Sequence, residues 1–286
     1  MTQPPMKPDA PSRGSTPLTT MPSEQSKSRD RGTTTTLVAR VPYLNSAPFF
    51  RGLTLGERYT LSDCVPRRLG EQAAAGEIAA GLLPLIDYVR LEGTFERLGH
   101  FGIAVRGRAR SVLLFTRKPL RQLEGATIAV TEETSSSACL LQLILEQRYK
   151  VTPASHQRGT SAEADALLLI GDEALRFKQT NTRYPFEIDI AFEWWLWQHL
   201  PFVFAVWAIR KDASAQEKKQ IESGIARSLG MNLLQLGSIA AEFSQQLGIS
   251  AEELETYLSN FVYRLGQFEE EGIKRFKELV DECHLL

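Results

Sequence analysis

The chain has 286 residues, of which 43% are hydrophobic and 23% are charged, and these values are ordinary for a soluble globular protein. Its 33 basic and 34 acidic residues give a formal net charge of -1, so no global field attracts nucleic acid or an anionic membrane. The length allows one large domain or two smaller ones, and any site for an anion has to be local.

Residues 1–34 are predicted to be a disordered tail, because they are rich in proline and polar residues and contain few apolar ones. They lack the continuous apolar segment of a secretory signal. No run of 18 apolar residues is present anywhere, so we expect no membrane span. Together these features predict a cytoplasmic protein.

Strand and helix patterns alternate after the tail. Short apolar runs that read as buried strands are residues 36–41, 110–117, 126–130, 165–170 and 201–210. Helical patterns lie between them, which is typical of an α/β fold. From about residue 212 the chain is predicted to be helical. Ser214 with Glu217, and Ser250 with Glu253, form the pattern of a capping box.

The first strand is followed by residues 41–50, "VPYLNSAPFF", in which an amide and a hydroxyl lie between two prolines. One interpretation is a turn, since Asn and Ser hydrogen-bond their own backbone and Pro fixes φ. The other is that Asn45 and Ser46 face a ligand. Local chemistry leaves both open.

Two further polar segments follow predicted strands. Residues 131–141, "TEETSSSACLL", pass from a strand into a helix, and a helix start with several hydroxyls suits a carboxylate or phosphate. Capping of the helix by one Ser is the alternative. Residues 169–175, "LIGDEAL", place Gly171 and Asp172 at the end of a strand, where open α/β sheets bind ligands. The alternative is a tight turn at the Gly and a helix cap at the Asp.

Aromatic and apolar clusters are interpreted mainly as core. All four tryptophans lie within residues 192–207, and the alternative to packing is a pocket wall for a flat ligand. Residues spaced by four, Ile221, Ile225, Leu229 and Leu233, form one apolar helix stripe. The cysteines and histidines are scattered, and no H-E-x-x-H, G-x-S-x-G or Walker pattern occurs, so metal, acyl-serine or P-loop catalysis is not indicated.

Five segments in this order resemble the chorismate dehydratases of the futalosine route to menaquinone. They are "VPYLNSAPFF", "RSVLLFTR", "IAVTEETSSSACLLQLILEQRY", "ADALLLIGDEAL" and "LPFVFAVWAIR", and the resemblance extends over roughly residues 37–211. It implies an α/β, two-lobed fold like that of a type II periplasmic-binding protein, with mixed sheets and a helical C-terminal segment. Lobe 1 would comprise residues 35–115 and 205–286, and lobe 2 residues 116–204.

The resemblance also implies a reaction, the loss of water from chorismate to give 3-[(1-carboxyvinyl)oxy]benzoate. No cofactor and no metal are expected, because aromatisation of the ring drives the elimination. Asn45 is the implied catalytic residue, and we hypothesise that it orients the carboxyvinyl carboxylate of the substrate, which removes the proton. The predicted substrate-binding residues are Tyr43, Ser46, Ser111, Thr134, Ser135, Ser136, Ser137, Gly171 and Asp172.

One segment departs from the family pattern. Family members have two serines before an I-E-Y sequence, whereas this chain has Pro84 and Leu85 before Ile86, Asp87 and Tyr88. Two alternatives to the dehydratase are a non-catalytic binding protein of the same fold and the dihydroxynaphthoate-forming enzyme of the same pathway. The latter has an S-P-C-P-N-type first turn and a reactive His in the cleft, whereas this chain has a Y-L-N turn and no His in a predicted cleft loop. The oligomeric state is not indicated.

Overall fold

The computed structural model describes residues 36–159 and 163–286. The predicted tail, residues 1–34, therefore lies outside the described residues. The strands are β1 (Thr36–Arg40), β2 (Tyr59–Asp63), β3 (Ala80–Pro84), β4 (Phe95–Val105), β5 (Val112–Thr116), β6 (Thr127–Val130), β7 (Ser155–Arg158), β8 (Ala166–Ile170), β9 (Phe186–Asp189), β10 (Phe202–Arg210) and β11 (Phe261–Arg264).

The α-helices are short around the first sheet and long near the C-terminus. They are α1 (Ala47–Phe50), α2 (Pro66–Ala74), α3 (Leu85–Arg90), α4 (Ser136–Leu143), α5 (Gly171–Thr180), α6 (Ile190–Gln198), α7 (Ala215–Asn232), α8 (Leu236–Leu247), α9 (Ala251–Ser259) and α10 (Gln267–Glu282). A short 3-10 helix, Leu44–Ser46, precedes α1, and α4 continues into a π-helical stretch, Ile144–Tyr149. No helix of the described segments is long and apolar enough to cross a membrane.

The strands form two mixed sheets. The first has the order β11-β4-β10-β3-β1-β2, and the second has the order β7-β6-β8-β5-β9. In the first sheet β1 pairs in parallel with β2 and β3, while β10 runs antiparallel to β3 and β4. In the second, β6 pairs in parallel with β7 and β8, and β5 runs antiparallel to β8 and β9. The predicted mixed α/β fold is confirmed.

The central strands form because their sequences are apolar throughout. Every residue of β3, β5 and β8 is buried, as expected of strands covered on both faces. Residues 78–86 form an apolar run that contains β3. Its Pro84 ends the strand, and α3 starts at the next residue.

The chain passes between the two sheets twice, between Val105 and Val112 and between Asp189 and Phe202. The family resemblance implied these passages a few residues later, at 115/116 and 204/205. All the described residues belong to one compact unit, Thr35–Leu286. The division into two lobes remains a prediction.

The helical C-terminal segment is present with its predicted caps. Ser214 and Glu217 form a complete capping box at α7, and Ser250 accepts the backbone N–H of Glu253 at α9. Three residues of the predicted stripe, Ile221, Ile225 and Leu229, are at most 1% exposed. The stripe therefore packs in the core.

The tryptophan cluster is also core. Trp194 and Trp207 are fully buried, and Trp194 packs edge-on against Phe202. None of the four tryptophans lines the cavity described below. Phe204 and Ala205 of the same segment do line that cavity, so the alternative of a pocket wall holds for this part of the segment and not for its tryptophans.

Candidate active site

A narrow cavity lies at the carboxyl ends of β1, β3 and β8 and the start of α4. The cavity has a volume of about 70 Å³. The lining residues are Val41, Tyr43, Asn45, Pro66, Leu82, Pro84, Ile103, Val112, Thr134, Ser135, Ser136, Ser137, Ile170, Gly171, Phe204 and Ala205. None of them is charged, so an anion bound here meets only neutral donors and apolar side chains.

The structure brings together most of the predicted site residues. Tyr43 and Asn45 come from the loop after β1, Gly171 from the start of α5, and residues 134–137 from the start of α4. The same wall includes Leu82 of the first sheet, Val41 directly after β1, and Val112 and Ile170 of the second sheet. The cavity therefore lies between the two sheets.

Asn45 is the polar side chain of its turn that is free to bind a ligand. It is half-buried, and it has no hydrogen-bond partner among the described residues. Its neighbour Ser46 behaves differently, because the Ser46 hydroxyl donates to the carbonyls of Val41 and Tyr43. The turn interpretation thus holds for Ser46, while Asn45 lines the cavity.

The start of α4 is not capped by a serine side chain, which was the alternative to ligand binding. Ser135 occupies the N-cap position, but no side chain caps this helix. Its hydroxyl instead donates to Oδ2 of Asp87 at 2.6 Å, and Ser136 Oγ accepts the backbone N–H of Ile86 at 3.2 Å. Ser135 and Ser136 therefore join the start of α4 to α3.

Thr134 and Ser137 are the two hydroxyls of this loop left for a ligand. Thr134 is 2% exposed and Ser137 4% exposed, and neither hydroxyl has a partner among the described residues. Both residues line the cavity at the N-terminal end of α4, where backbone N–H groups and the helix dipole favour a negative charge.

Gly171 lines the cavity, and the ring of Tyr43 lies directly against it. It has a φ of 57°, and a Cβ at this position would lie 3.0 Å from Cδ2 of Tyr43. A side chain at residue 171 would therefore be strained by its backbone and would displace the ring. The tight turn predicted at this glycine is confirmed.

Asp172 does not cap α5. The helix starts at Gly171, with Ile170 as N-cap and no side-chain cap, and Oδ1 of Asp172 accepts the backbone N–H of Leu44 at 3.0 Å. Burial raises the pKa of Asp172 to about 6, and the N–H of Leu44 opposes this rise. The capping interpretation of Asp172 is therefore wrong.

Three predicted binding residues lie outside the cavity wall, namely Ser46, Ser111 and Asp172. Ser111 is fully buried, and its hydroxyl accepts a hydrogen bond of 2.8 Å from the hydroxyl of Tyr257. Direct contact of these three residues with a ligand remains a prediction that their present partners do not favour.

Charged residues gather in a wider groove that shares Tyr43 with the cavity. The groove measures about 1020 Å³ and includes Arg67, Arg68 and Arg176 on its walls, together with several acidic residues. The hydroxyl of Tyr43 donates to Oε2 of Glu133 there. Burial, and this bond, raise the pKa of the Tyr43 hydroxyl, which keeps it protonated.

Several apolar parts of the wall were either not singled out from the sequence or, as in residues 192–207, interpreted mainly as core. Phe204 and Ala205 of β10 and Pro66 at the start of α2 line the cavity. Pro84, noted as a departure from the family pattern, lines it too. The only signal for Pro66 is its place at a helix start, which proline commonly occupies for purely local reasons.

Solved structures of other proteins have this fold. A protein of Archaeoglobus fulgidus aligns with a TM-score of 0.71 at 17% identity, covering 89% of this chain and 100% of that one. A Candida albicans protein with the generic periplasmic binding protein fold aligns with a TM-score of 0.54 at 12% identity, covering 88% and 90%. The two mixed sheets with a cavity between them thus define a periplasmic-binding-protein-like fold.

Sequence comparison narrows this class to one family. The family described as menaquinone biosynthesis matches residues 36–282. The chorismate dehydratase of Thermus thermophilus is 30% identical over 254 residues, which are 82% of this chain and 92% of that enzyme. The chain belongs to this menaquinone-biosynthesis family, as its motifs predicted.

Proposed function

We propose that the chain is a chorismate dehydratase, a carbon–oxygen lyase that removes water from chorismate to give 3-[(1-carboxyvinyl)oxy]benzoate in menaquinone biosynthesis. The observation that carries the proposal is the uncharged cavity between the sheets, lined by Asn45, Thr134 and Ser137. The family membership and the likeness to a chorismate dehydratase support the same assignment.

The reaction requires uncharged hydrogen-bond donors in a site that excludes water. Chorismate has two carboxylates and a ring hydroxyl, and the reaction breaks one ring C–H bond and the adjacent C–O bond. The ring becomes aromatic as the hydroxyl leaves with a proton as water. Preorganised donors in a site that excludes water stabilise negative charge better than water does. The start of α4, with Thr134 and Ser137, suits one carboxylate.

Asn45 takes the position nearest the reacting ring in this proposal. Its amide is a poor base, because protonated amides are strongly acidic, so the proton goes to the carboxyvinyl carboxylate of the substrate itself. Asn45 holds that carboxylate by donating a hydrogen bond. Tyr43 and Gly171 then form the wall beside it. Ser135 and Ser136, joined to α3, hold the start of α4 in place.

In this proposal each sheet is the centre of one lobe, and the chain passes from one lobe to the other between Val105 and Val112 and between Asp189 and Phe202. The free space in the cavity is smaller than a substituted ring needs, so the lobes separate to admit chorismate and close over it. A cytoplasmic location is part of the proposal, and cell fractionation measures it.

The other enzyme considered from the sequence uses a histidine in the cleft. No histidine is among the residues that line this cavity, which favours the dehydratase. Incubation of the purified protein with chorismate tests the assignment directly. The diene absorbance should disappear while 3-[(1-carboxyvinyl)oxy]benzoate accumulates, as followed by chromatography. Tight binding of chorismate without turnover would support a binding protein instead.

A further inference from the structure

The short helix that carries Asn45 is held from outside its own segment. This helix, Leu44–Ser46, has no side-chain cap. The backbone N–H of Leu44 donates instead to Oδ1 of Asp172 at 3.0 Å, across 128 positions of sequence. This is the only hydrogen bond of the Asp172 carboxylate within the described residues, and the side chain is 5% exposed.

Asp172 belongs to the opposite sheet from Asn45. It follows β8 of the second sheet as the second residue of α5, whereas Leu44 follows β1 of the first sheet. The ring of Tyr43 lies against Gly171, and the Tyr43 hydroxyl donates to Glu133. Both residues before Asn45 are therefore held by groups from the second-sheet side.

The start of α5 is itself fixed. The backbone N–H of Gly171 donates to the carbonyl of Ser111 at 2.7 Å, and the Ser111 hydroxyl accepts from Tyr257 at 2.8 Å. A buried carboxylate is costly unless it has a strong partner. Within the described residues the partner of Asp172 is a backbone N–H next to Asn45, so this carboxylate orients the turn rather than a ligand.

We propose that Asp172 is a positioning residue, which ties the turn of Asn45 to the second sheet so that the Asn45 amide faces the start of α4. Asp172 acts through the backbone of Leu44 and does not touch the substrate. This inference rests on the proposed function, because it assigns the reacting group to Asn45.

The test compares two substitutions of Asp172 in the full chain. Asp172→Ala removes the acceptor, and kcat for chorismate should fall by roughly tenfold or more while KM changes by less than about threefold, since misplacement of a reacting group acts mainly on the chemical step. Asp172→Asn keeps an oxygen at the same place, and its kcat should stay within about threefold of the parent. Equal losses in the two variants contradict the proposal.

A double-substitution cycle separates positioning from a general structural effect. In the Asn45→Ala background, Asp172→Ala should cause no further loss of kcat, because the group that it positions is absent. If Asp172→Ala lowers kcat by the same factor in the Asn45→Ala background as in the parent protein, the proposal is wrong.

Asp165 provides the matched control at the opposite end of β8. Its Oδ2 accepts the backbone N–H of Thr127, also at 3.0 Å. Asp165→Ala loses the same kind of bond away from the cavity, so stability should fall while kcat stays unchanged. A comparable loss of kcat in this control contradicts the proposal.

Hydrogen exchange of the Leu44 amide distinguishes failure of this inference from failure of the proposed function. If the parent protein does not turn over chorismate, the dehydratase assignment fails, but the hydrogen bond from Leu44 to Asp172 can still be measured. Protection of the Leu44 amide should fall roughly tenfold or more in Asp172→Ala and not in Asp165→Ala. Unchanged protection overturns the inference whatever the activity.

Discussion

Ser135 donates its hydroxyl to Oδ2 of Asp87 at 2.6 Å, and this bond joins the start of α4 to α3 beside the cavity. Arg90 approaches Oδ1 of the same carboxylate at 3.3 Å. Burial nevertheless raises the pKa of Asp87, and the bond from Ser135 opposes this rise. Asp87 therefore holds one of the serines that the sequence assigned to ligand binding.

Gly70, inside α2, provides the room for this carboxylate. A Cβ there would lie 2.5 Å from Oδ2 of Asp87. Ala in place of Gly normally stabilises a helix interior by about 0.5–1 kcal/mol, whereas overpacking costs about 1–3 kcal/mol. We expect Gly70→Ala to lower the free energy of unfolding by about 1 kcal/mol, as measured by urea denaturation.

The control for this substitution is Gly93→Ala, because a Cβ at Gly93 meets nothing within 4 Å. Its effect should stay within about 0.5 kcal/mol. If Asp87 causes the clash, Gly70→Ala made in an Asp87→Ala background should stabilise the protein instead. A loss of the same size in that background would assign the clash to another group.

Local patterns in the sequence predicted five of the strands in the described segments, β1, β5, β6, β8 and β10, and the helical C-terminal segment. The run before Asn45 is apolar enough to be a strand, and the hydroxyls at 134–137 mark a helix start, so both segments were expected at strand ends. Strand ends of one α/β fold converge. Local patterns alone left the role of Asn45 open, and the resemblance to the chorismate dehydratases assigned it to one site with Thr134.

The hydrogen-bond partners of these polar side chains could not be predicted in the same way. Leu44 and Asp172 are 128 positions apart, and Ser135 and Asp87 are 48 apart. A hydroxyl or carboxylate in a loop has the same local signal whether it binds a ligand or another loop. Phe204 had no polar signal at all, and only its register in β10 brings it to the cavity.

Asn45→Ala should abolish most of the activity without unfolding the protein. Loss of one preorganised donor to developing charge costs roughly 100-fold in kcat or more. Asn45 has no hydrogen-bond partner among the described residues, so the melting temperature should change little. Steady-state kinetics with chorismate and a thermal melt provide the two measurements.

Asn181 is a suitable amide control. Its side chain hydrogen-bonds the backbone of Arg183 and Tyr184 in the turn between α5 and β9. Asn181→Ala should lower the melting temperature and leave kcat intact. Near-normal turnover by Asn45→Ala would remove Asn45 from the mechanism.

Thr134→Val and Ser137→Ala should weaken substrate binding more than they slow the chemistry. A hydrogen bond to a charged group contributes about 1.5–3 kcal/mol, so each loss should raise KM by roughly tenfold or more. Ser259→Ala is the control, since Ser259 is exposed and bonds only the carbonyl of Glu255 within the described residues. Unchanged KM in both cavity variants would mean that the carboxylate binds elsewhere.

The stability of the protein should depend on pH through Asp172. Burial raises the pKa of this carboxyl group to about 6 from its ordinary value of 3.8. Because the pKa is raised, the folded state binds this proton more tightly than the unfolded state does. Protonated Asp172 therefore stabilises the folded protein fully below about pH 4, and this stabilisation is lost as the pH rises through 6. The groups that face the carboxylate are Arg176, Glu133, Tyr43 and Tyr257.

Asp172→Asn cannot titrate, and it keeps an acceptor for Leu44. Its free energy of unfolding, relative to that of the parent, should therefore rise between pH 4 and pH 8 by up to about 3 kcal/mol, which is the equivalent of a shift of about 2 pH units. Glu173 also has a raised pKa, because of its burial, but it is present in both proteins and cancels in the difference. Urea denaturation of both proteins at several pH values measures this difference, and a difference that does not vary with pH would mean that Asp172 titrates as it does in the unfolded chain.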